Sequence, residues 1–169
     1  MPGSAPLEAG GYADLVCAYL LANFSDRGIN AYREVSVGKS IIGKNRRIDV
    51  FVLDSRKNLA LALECKFQSA AGTTDEKIPY ALQDLAAMRM PACLVYGGDG
   101  WSDGVRHMLR SSALAAYCLP DPLALRRGRE TVEVDHVLAQ TFQWWDILLA
   151  SRVAFDLASW RARQPAEAP

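Results

Sequence analysis

No run of apolar residues in this sequence approaches the length of a membrane span, and its N-terminus, MPGSAPLEAGG, lacks the basic-then-apolar plan of a secretory signal. A cytoplasmic protein that does not enter a membrane is the expectation. Cysteine and histidine are scarce, four and two among 169 residues, with no C-x-x-C pair and no histidine at ligand spacing. Cys17, Cys65, Cys93 and Cys118 stand singly in apolar surroundings, which argues against a disulfide framework and against a zinc centre. Net charge is absent too: 19 basic residues balance 19 acidic ones, so no uniformly cationic surface can grip nucleic acid by electrostatics alone. Gly97 to Gly100 has neither the spacing nor the lysine of a nucleotide-binding loop and reads as a tight turn. There is no internal repeat.

What is present is enough apolar material for one core. Half of the residues are hydrophobic, which at this length fits a single domain over residues 1–160, with residues 161–169, RARQPAEAP, expected as a disordered tail. Tyr12, Leu15, Val16, Tyr19, Leu20 and Phe24 recur at helical spacing and predict a first helix ending near Gly28. A strand from Ala31 to Val37 comes next. Pro79, tolerated only in a first helical turn, predicts a helix from about there to Met90, stopped by Pro91. Ala92 to Tyr96 reads as a short strand, then a helix near 102–112, a strand at 115–119, and one long helical stretch over 134–160 with a broad apolar side. Trp144 and Trp145 in that stretch are core residues or candidates for base stacking or a dimer contact.

The most informative segment lies between the first strand and Pro79. Arg46 to Leu53 (RRIDVFVL) and Asn58 to Phe67 (NLALALECKF) flank the turn residues Asp54 to Lys57 and predict an antiparallel hairpin. Side chains alternate along a strand, so Leu59, Leu61, Leu63 and Cys65 share one face while Ala60, Ala62, Glu64 and Lys66 share the other. Asp49 lies fifteen positions before Glu64, a separation that a hairpin folds into adjacency. Ile48 and Val50 are expected to point together to the face opposite Asp49.

Two carboxylates and a lysine on neighbouring strands suit metal-assisted phosphodiester hydrolysis. A hard cation such as Mg²⁺ or Mn²⁺ takes oxygen ligands and keeps several waters, so Asp49, Glu64 and the backbone carbonyl of Cys65 form a plausible set. Lys66 could orient or deprotonate the attacking water and neutralise charge on phosphate oxygens. The plain reading of an E-x-K triplet, a solvated ion pair on a strand, stands beside this one. Lys44, Arg46 and Arg47, clustered with Lys39 just before Asp49, and Lys77 further on are candidate DNA contacts.

The motif I-D…E-x-K, carried by IIGKNRRIDVFVL and LALECKFQ, resembles the PD-(D/E)XK nuclease superfamily from roughly Gly11 to Tyr96. Ile48 stands where that superfamily often has proline, and SAAGTTDEKIPYALQDL is similar to the segment after the lysine strand in some restriction and mobile-element nucleases. The resemblance implies an α/β, restriction-endonuclease-like αβββαβ core, with a mixed central sheet flanked by helices and an additional C-terminal helix. It further implies an accessory carboxylate from the first helix, Asp14 with Glu8 as alternative, and accessory roles for Glu34 and for Gln68 as a phosphate or water contact.

The expected function is Mg²⁺-dependent DNA endonuclease activity in restriction, repair or mobile-element processes. A non-catalytic DNA-binding or assembly module on the same fold is the alternative, and an ion-pair network in an unrelated α/β protein is a third possibility. The expected partners are DNA and a second copy of the chain. A small neutral nuclease that cuts both strands needs two sites, and the apolar C-terminal region offers a surface to pair through.

Overall fold

A computed structural model describes residues 9–164. Glu8 and the last five tail residues lie outside them. The opening helix, α1 (Ala9–Phe24), buries the apolar stripe that the spacing predicts, with Tyr12, Val16, Tyr19 and Leu20 fully enclosed. A short 3₁₀ turn over Ser25–Arg27 then ends at Gly28, whose φ of 90° favours glycine and lets its N–H bond the Ser25 carbonyl at 3.0 Å.

Three strands come next, β1 (Ile29–Lys39), β2 (Asn45–Asp54) and β3 (Leu59–Phe67), paired antiparallel in sequence order. The β2–β3 turn is built by Asp54, whose Oδ1 accepts from the N–H groups of Arg56 (3.0 Å) and Lys57 (3.1 Å). Helix α2 (Ile78–Ala86) carries Pro79 in its first turn, and β4 (Ala92–Gly97) returns parallel to β3. After α3 (Asp103–Ser111), β5 (Ala115–Tyr117) adds to the edge in parallel, giving a mixed five-stranded sheet in the order β1-β2-β3-β4-β5. As far as β5 the predicted order of elements is the one observed.

The sheet separates two cores. Val50, Val52, Leu61, Leu63, Cys65 and Val95 face α1 and α4 (Val132–Phe142), whereas Ile48, Ala62, Leu94 and Tyr96 face α2 and α3. Each fully buried Leu or Val contributes about 1.5–3 kcal/mol, so both cores resist opening. The alternation expected along β3 holds, since Leu61, Leu63 and Cys65 sit in one core and Ala62 in the other.

Three expectations need correction. Helix α2 stops at Ala86 rather than Met90. The chain has to leave the helix early because the Pro91 carbonyl joins the sheet, accepting from Ala62 N–H at 3.0 Å. The long helix over 134–160 is broken: Gln143 adopts a φ of 62° that ends α4, and α5 (Trp145–Leu148) and α6 (Leu157–Ala162) are short separate pieces. Trp144 causes the break by turning back to stack between Phe24 and Phe142, with centroids 5.3 and 5.2 Å away, so it belongs to the core, whereas Trp145 is exposed. The tail expected from residue 161 begins inside α6. Among the described residues no helix is long and apolar enough to cross a membrane.

Candidate active site

The β2–β3 ladder runs from Asp54 and Leu59 to Val50 and Leu63 and goes no further, while β3 continues beside β4 as far as Phe67. The two strands part there as a fork. Asp49 closes the base of that fork, its Oδ2 accepting from the Cys65 N–H at 2.7 Å. In an extended strand a residue's N–H and C=O point to the same edge, so the Cys65 carbonyl faces the same gap.

Asp49 reaches this position because alternation resets beside it. Ile48 packs into one core and Val50 into the other, contrary to the expectation that they share a face. On the neighbouring strand Glu34 has a φ of 54°, between the paired residues Arg33 and Val50 and the pair Val35 and Ile48. A left-handed residue inside a strand kinks it, and such irregularities re-aim side chains next to functional sites. Here the kink leaves the Asp49 carboxylate between strands rather than on a face.

Glu64 and Lys66 project from β3 on the α2 side, and Lys66 Nζ donates to Glu64 Oε1. Their side chains are only 21% and 19% exposed. Burial pushes the Glu64 carboxyl pKa up, the charges of Asp49 and Asp84 push it the same way, and Lys66 opposes them. Glu64 thus feels one cation, Lys66, and two further carboxylates, one of which, Asp84, is already neutralised by Arg46. Above Glu64 and Lys66 opens a cleft of about 340 Å³ walled by Ser40 and Lys44 from the β1–β2 connection, by Arg47 from β2, and by Lys77, Tyr80 and Asp84 from α2 and the turn before it.

The first acid lies on β2 and E-x-K on the adjoining β3 of an αβββαβ sheet, and a family model for the PD-(D/E)XK nuclease superfamily domain matches residues 8–145. The chain belongs to the PD-(D/E)XK nuclease superfamily. Membership points to nuclease-type, hydrolytic chemistry. No curated protein matches the sequence. Among solved structures, a crystal structure of a protein of unknown function, AF1548, aligns with 16% identity and a TM-score of 0.38, over 58% of this chain and 53% of that one. The chain therefore matches about half the length of that protein.

The other predicted residues of this nuclease-superfamily domain divide clearly. Of the candidate DNA contacts, Lys44, Arg47 and Lys77 line the cleft, Arg47 loosely paired to exposed Glu34 at 3.6 Å. Arg46 does not fit that role. It is 9% exposed and makes three hydrogen bonds to Asp84, Nε to Oδ2 and Nη2 to Oδ1 at 2.8 Å and Nη2 to the carbonyl at 3.0 Å.

Gln68 is also displaced from its expected place beside Lys66. It is buried, and its Nε2 donates to Asp75 Oδ1 and the Gly100 carbonyl, both at 2.8 Å. β3 ends at Phe67, and Gly98 packs directly against the Gln68 backbone; a Cβ on Gly98 would lie 2.2 Å from the Gln68 carbonyl oxygen. That glycine run is therefore a tight turn clamped to the end of the E-x-K strand. Asp14 is one ion pair away from Asp49: it binds Arg33 Nη1 at 2.6 Å, and Arg33 Nε donates to the Asp49 carbonyl at 3.0 Å. Glu34 lies beside Asp49 on the edge strand, directed to Arg47, and Glu8 lies outside the described residues.

Asp84 and Tyr80 went unnoticed in the sequence. Their signal was there, since Lys77, Tyr80 and Asp84 fall on one side of a helix whose start Pro79 marks.

Proposed function

We propose that the protein is a divalent-metal-dependent deoxyribonuclease in which Asp49, Glu64 and the Cys65 carbonyl hold Mg²⁺ or Mn²⁺. The observation that supports this reading is the Asp49 Oδ2 bond to the Cys65 N–H, which seats one carboxylate between the strands, close enough for its charge to be felt at Glu64. The donor set fits a hard cation: all oxygen, few in number, leaving positions for water and phosphate. Among the described residues no group of three or more His, Cys, Asp or Glu assembles. When bound, the ion supplies charge stabilisation at the phosphate and acidifies a water.

The chain's own residues do the rest. Asp49 keeps one oxygen on the Cys65 N–H and so presents the other in a fixed direction. Glu64, crowded by like charge, gains most from a cation. Lys66 is held beside Glu64 and can turn its ammonium to the attacking water or to a phosphate oxygen. Gln68 serves by positioning, tying the end of β3 to the Asp75 and Gly100 loops. Lys44, Arg47 and Lys77 flank the path of the phosphate backbone.

The non-catalytic alternative would leave no reason for Glu64 and Lys66 to be jointly recessed beneath a cleft. We further infer a homodimer, because Leu149, Val153, Phe155, Leu157 and Trp160 are all exposed along the C-terminal segment. The deciding experiment incubates wild type and Glu64→Ala with linear, circular, single-stranded and branched DNA in Mg²⁺ or Mn²⁺. Folded Glu64→Ala cutting at the wild-type rate would end the nuclease assignment of this site.

A further inference from the structure

The connection between β1 and β2 has an apolar tip set among cations. Ile41 and Ile42 are 45% and 61% exposed, flanked by exposed Lys39 and Lys44, neither of which has a carboxylate partner among the described residues. Single exposed apolar side chains are ordinary on a protein surface, but two adjacent isoleucines at the edge of a candidate catalytic cleft are not explained by folding.

The tip is also held in place. Ser40 N–H bonds the Lys44 carbonyl at 2.8 Å, Gly43 N–H bonds the Ser40 carbonyl at 2.9 Å, and Gly43 takes the φ of 78° that the turn requires. Ile41 N–H is fixed to Asp84 Oδ1 at 2.8 Å, the carboxylate that Arg46 grips from the other side. Helix α2 thus sets the position of the tip relative to Glu64 and Lys66.

The dimensions of the cleft supply the second observation. At about 340 Å³ it is on the scale of a nucleotide rather than of a duplex, and Glu64 and Lys66 lie at its floor about four-fifths buried. A scissile phosphate has to reach that floor. It can do so if the strand is kinked or its bases are parted, which apolar side chains inserted between base steps accomplish in other DNA-bending proteins.

We propose that Ile41 and Ile42 form a wedge that enters the base stack beside the scissile phosphate, so that one strand drops into the cleft toward Glu64 and Lys66. Lys39 and Lys44 grip phosphates on either side of the opened step. Charge selects the occupant: a phosphate backbone answers two unpaired lysines, whereas a second copy of this neutral chain offers no surplus of anionic groups. Burying the two exposed isoleucines offsets the cost of unstacking the step. This inference rests on the nuclease reading and deepens it by naming the substrate geometry, DNA unstacked at the cut.

The test uses a duplex with 2-aminopurine at the cut step and the full chain carrying Lys66→Ala to suppress cleavage. Binding should raise the 2-aminopurine fluorescence. Adding Ile41→Ser and Ile42→Ser should abolish the rise while affinity falls by no more than about ten-fold, because the cations remain. With Lys66 intact, the serine pair should slow cutting of the paired duplex far more than of the same duplex mismatched at the cut.

No fluorescence rise on binding, an unchanged rise in the serine variant, or equal slowing on both substrates overturns the wedge. So does a change in oligomeric state of the free serine variant, which would assign the tip to a contact between copies. The two readings fail differently: a chain that neither binds nor cuts DNA defeats the nuclease reading, whereas one that binds and cuts without unstacking defeats only the wedge.

Discussion

Arg46 should behave as a structural residue, and the structure sets the size of the effect. Its guanidinium binds Asp84 through two parallel hydrogen bonds and a third to the main chain, at side-chain exposures of 9% for Arg46 and 13% for Asp84. Arg46→Ala leaves that carboxylate largely buried with only the Ile41 N–H, and near Glu64. Breaking one side of a buried pair costs about 3–5 kcal/mol, and since Asp84 retains some access to water the lower figure of about 3 applies. For a domain of this size that corresponds to a fall of about 6–12 °C in Tm. Urea and thermal denaturation followed by the fluorescence of buried Trp101 and Trp144 measures it. Lys44→Ala, at an exposed site, should stay within about 0.5 kcal/mol of wild type. The double variant Arg46→Ala/Asp84→Ala should recover part of the loss, because no buried charge is then left unpaired. Arg46 also holds the Asp84 pKa below the ordinary 3.8. The folded-state pKa is the depressed one, so this stabilisation is fully present above the ordinary value and disappears as pH falls through the depressed value. The acid-side slope should flatten in Arg46→Ala. An Arg46→Ala protein with wild-type Tm and a reduced salt dependence of DNA binding would refute the reasoning and return Arg46 to the phosphate contacts.

Asp49→Ala and Glu64→Ala should abolish cleavage and weaken Mg²⁺ or Mn²⁺ binding in calorimetric titration, whereas Lys66→Ala should keep the metal and lose about 10²–10⁴ in rate. Burial and neighbouring charge raise the Glu64 pKa, so as pH is lowered metal affinity should begin to fall above the range of an ordinary glutamate, and Asp84→Asn should move that onset to lower pH. Lys77→Ala should weaken DNA binding and reduce its salt slope by about one charge, and an unchanged slope would make Lys77 an ordinary turn residue. Light scattering at high micromolar concentration should show a dimer that Phe155→Ser together with Trp160→Ser converts to monomer; a strictly monomeric wild type, with or without DNA, removes the dimer.

Element order and the E-x-K face were legible in the sequence because both depend on short-range periodicity. Alternation of Leu61, Leu63 and Cys65 against Ala62, Glu64 and Lys66 needs only the pleat of one strand, and the start of α2 needs only the fixed φ of Pro79. The placement of Asp49 was half legible: its distance along the hairpin is set by the sequence, its seat between strands is not. That seat depends on a left-handed Glu34 in a different strand, to which no local pattern points. Arg46 and Gln68 looked like their neighbours in the sequence and were separated from them by partners 38 and 32 positions away, Asp84 and Gly100. Trp144 likewise broke a helix to fill a gap beside Phe24. Local patterning thus determined which residues could form strands, turns and an acid-lysine face. Tertiary structure alone decided which charged and polar groups remained free to act, because a buried polar group must find a partner wherever the fold supplies one.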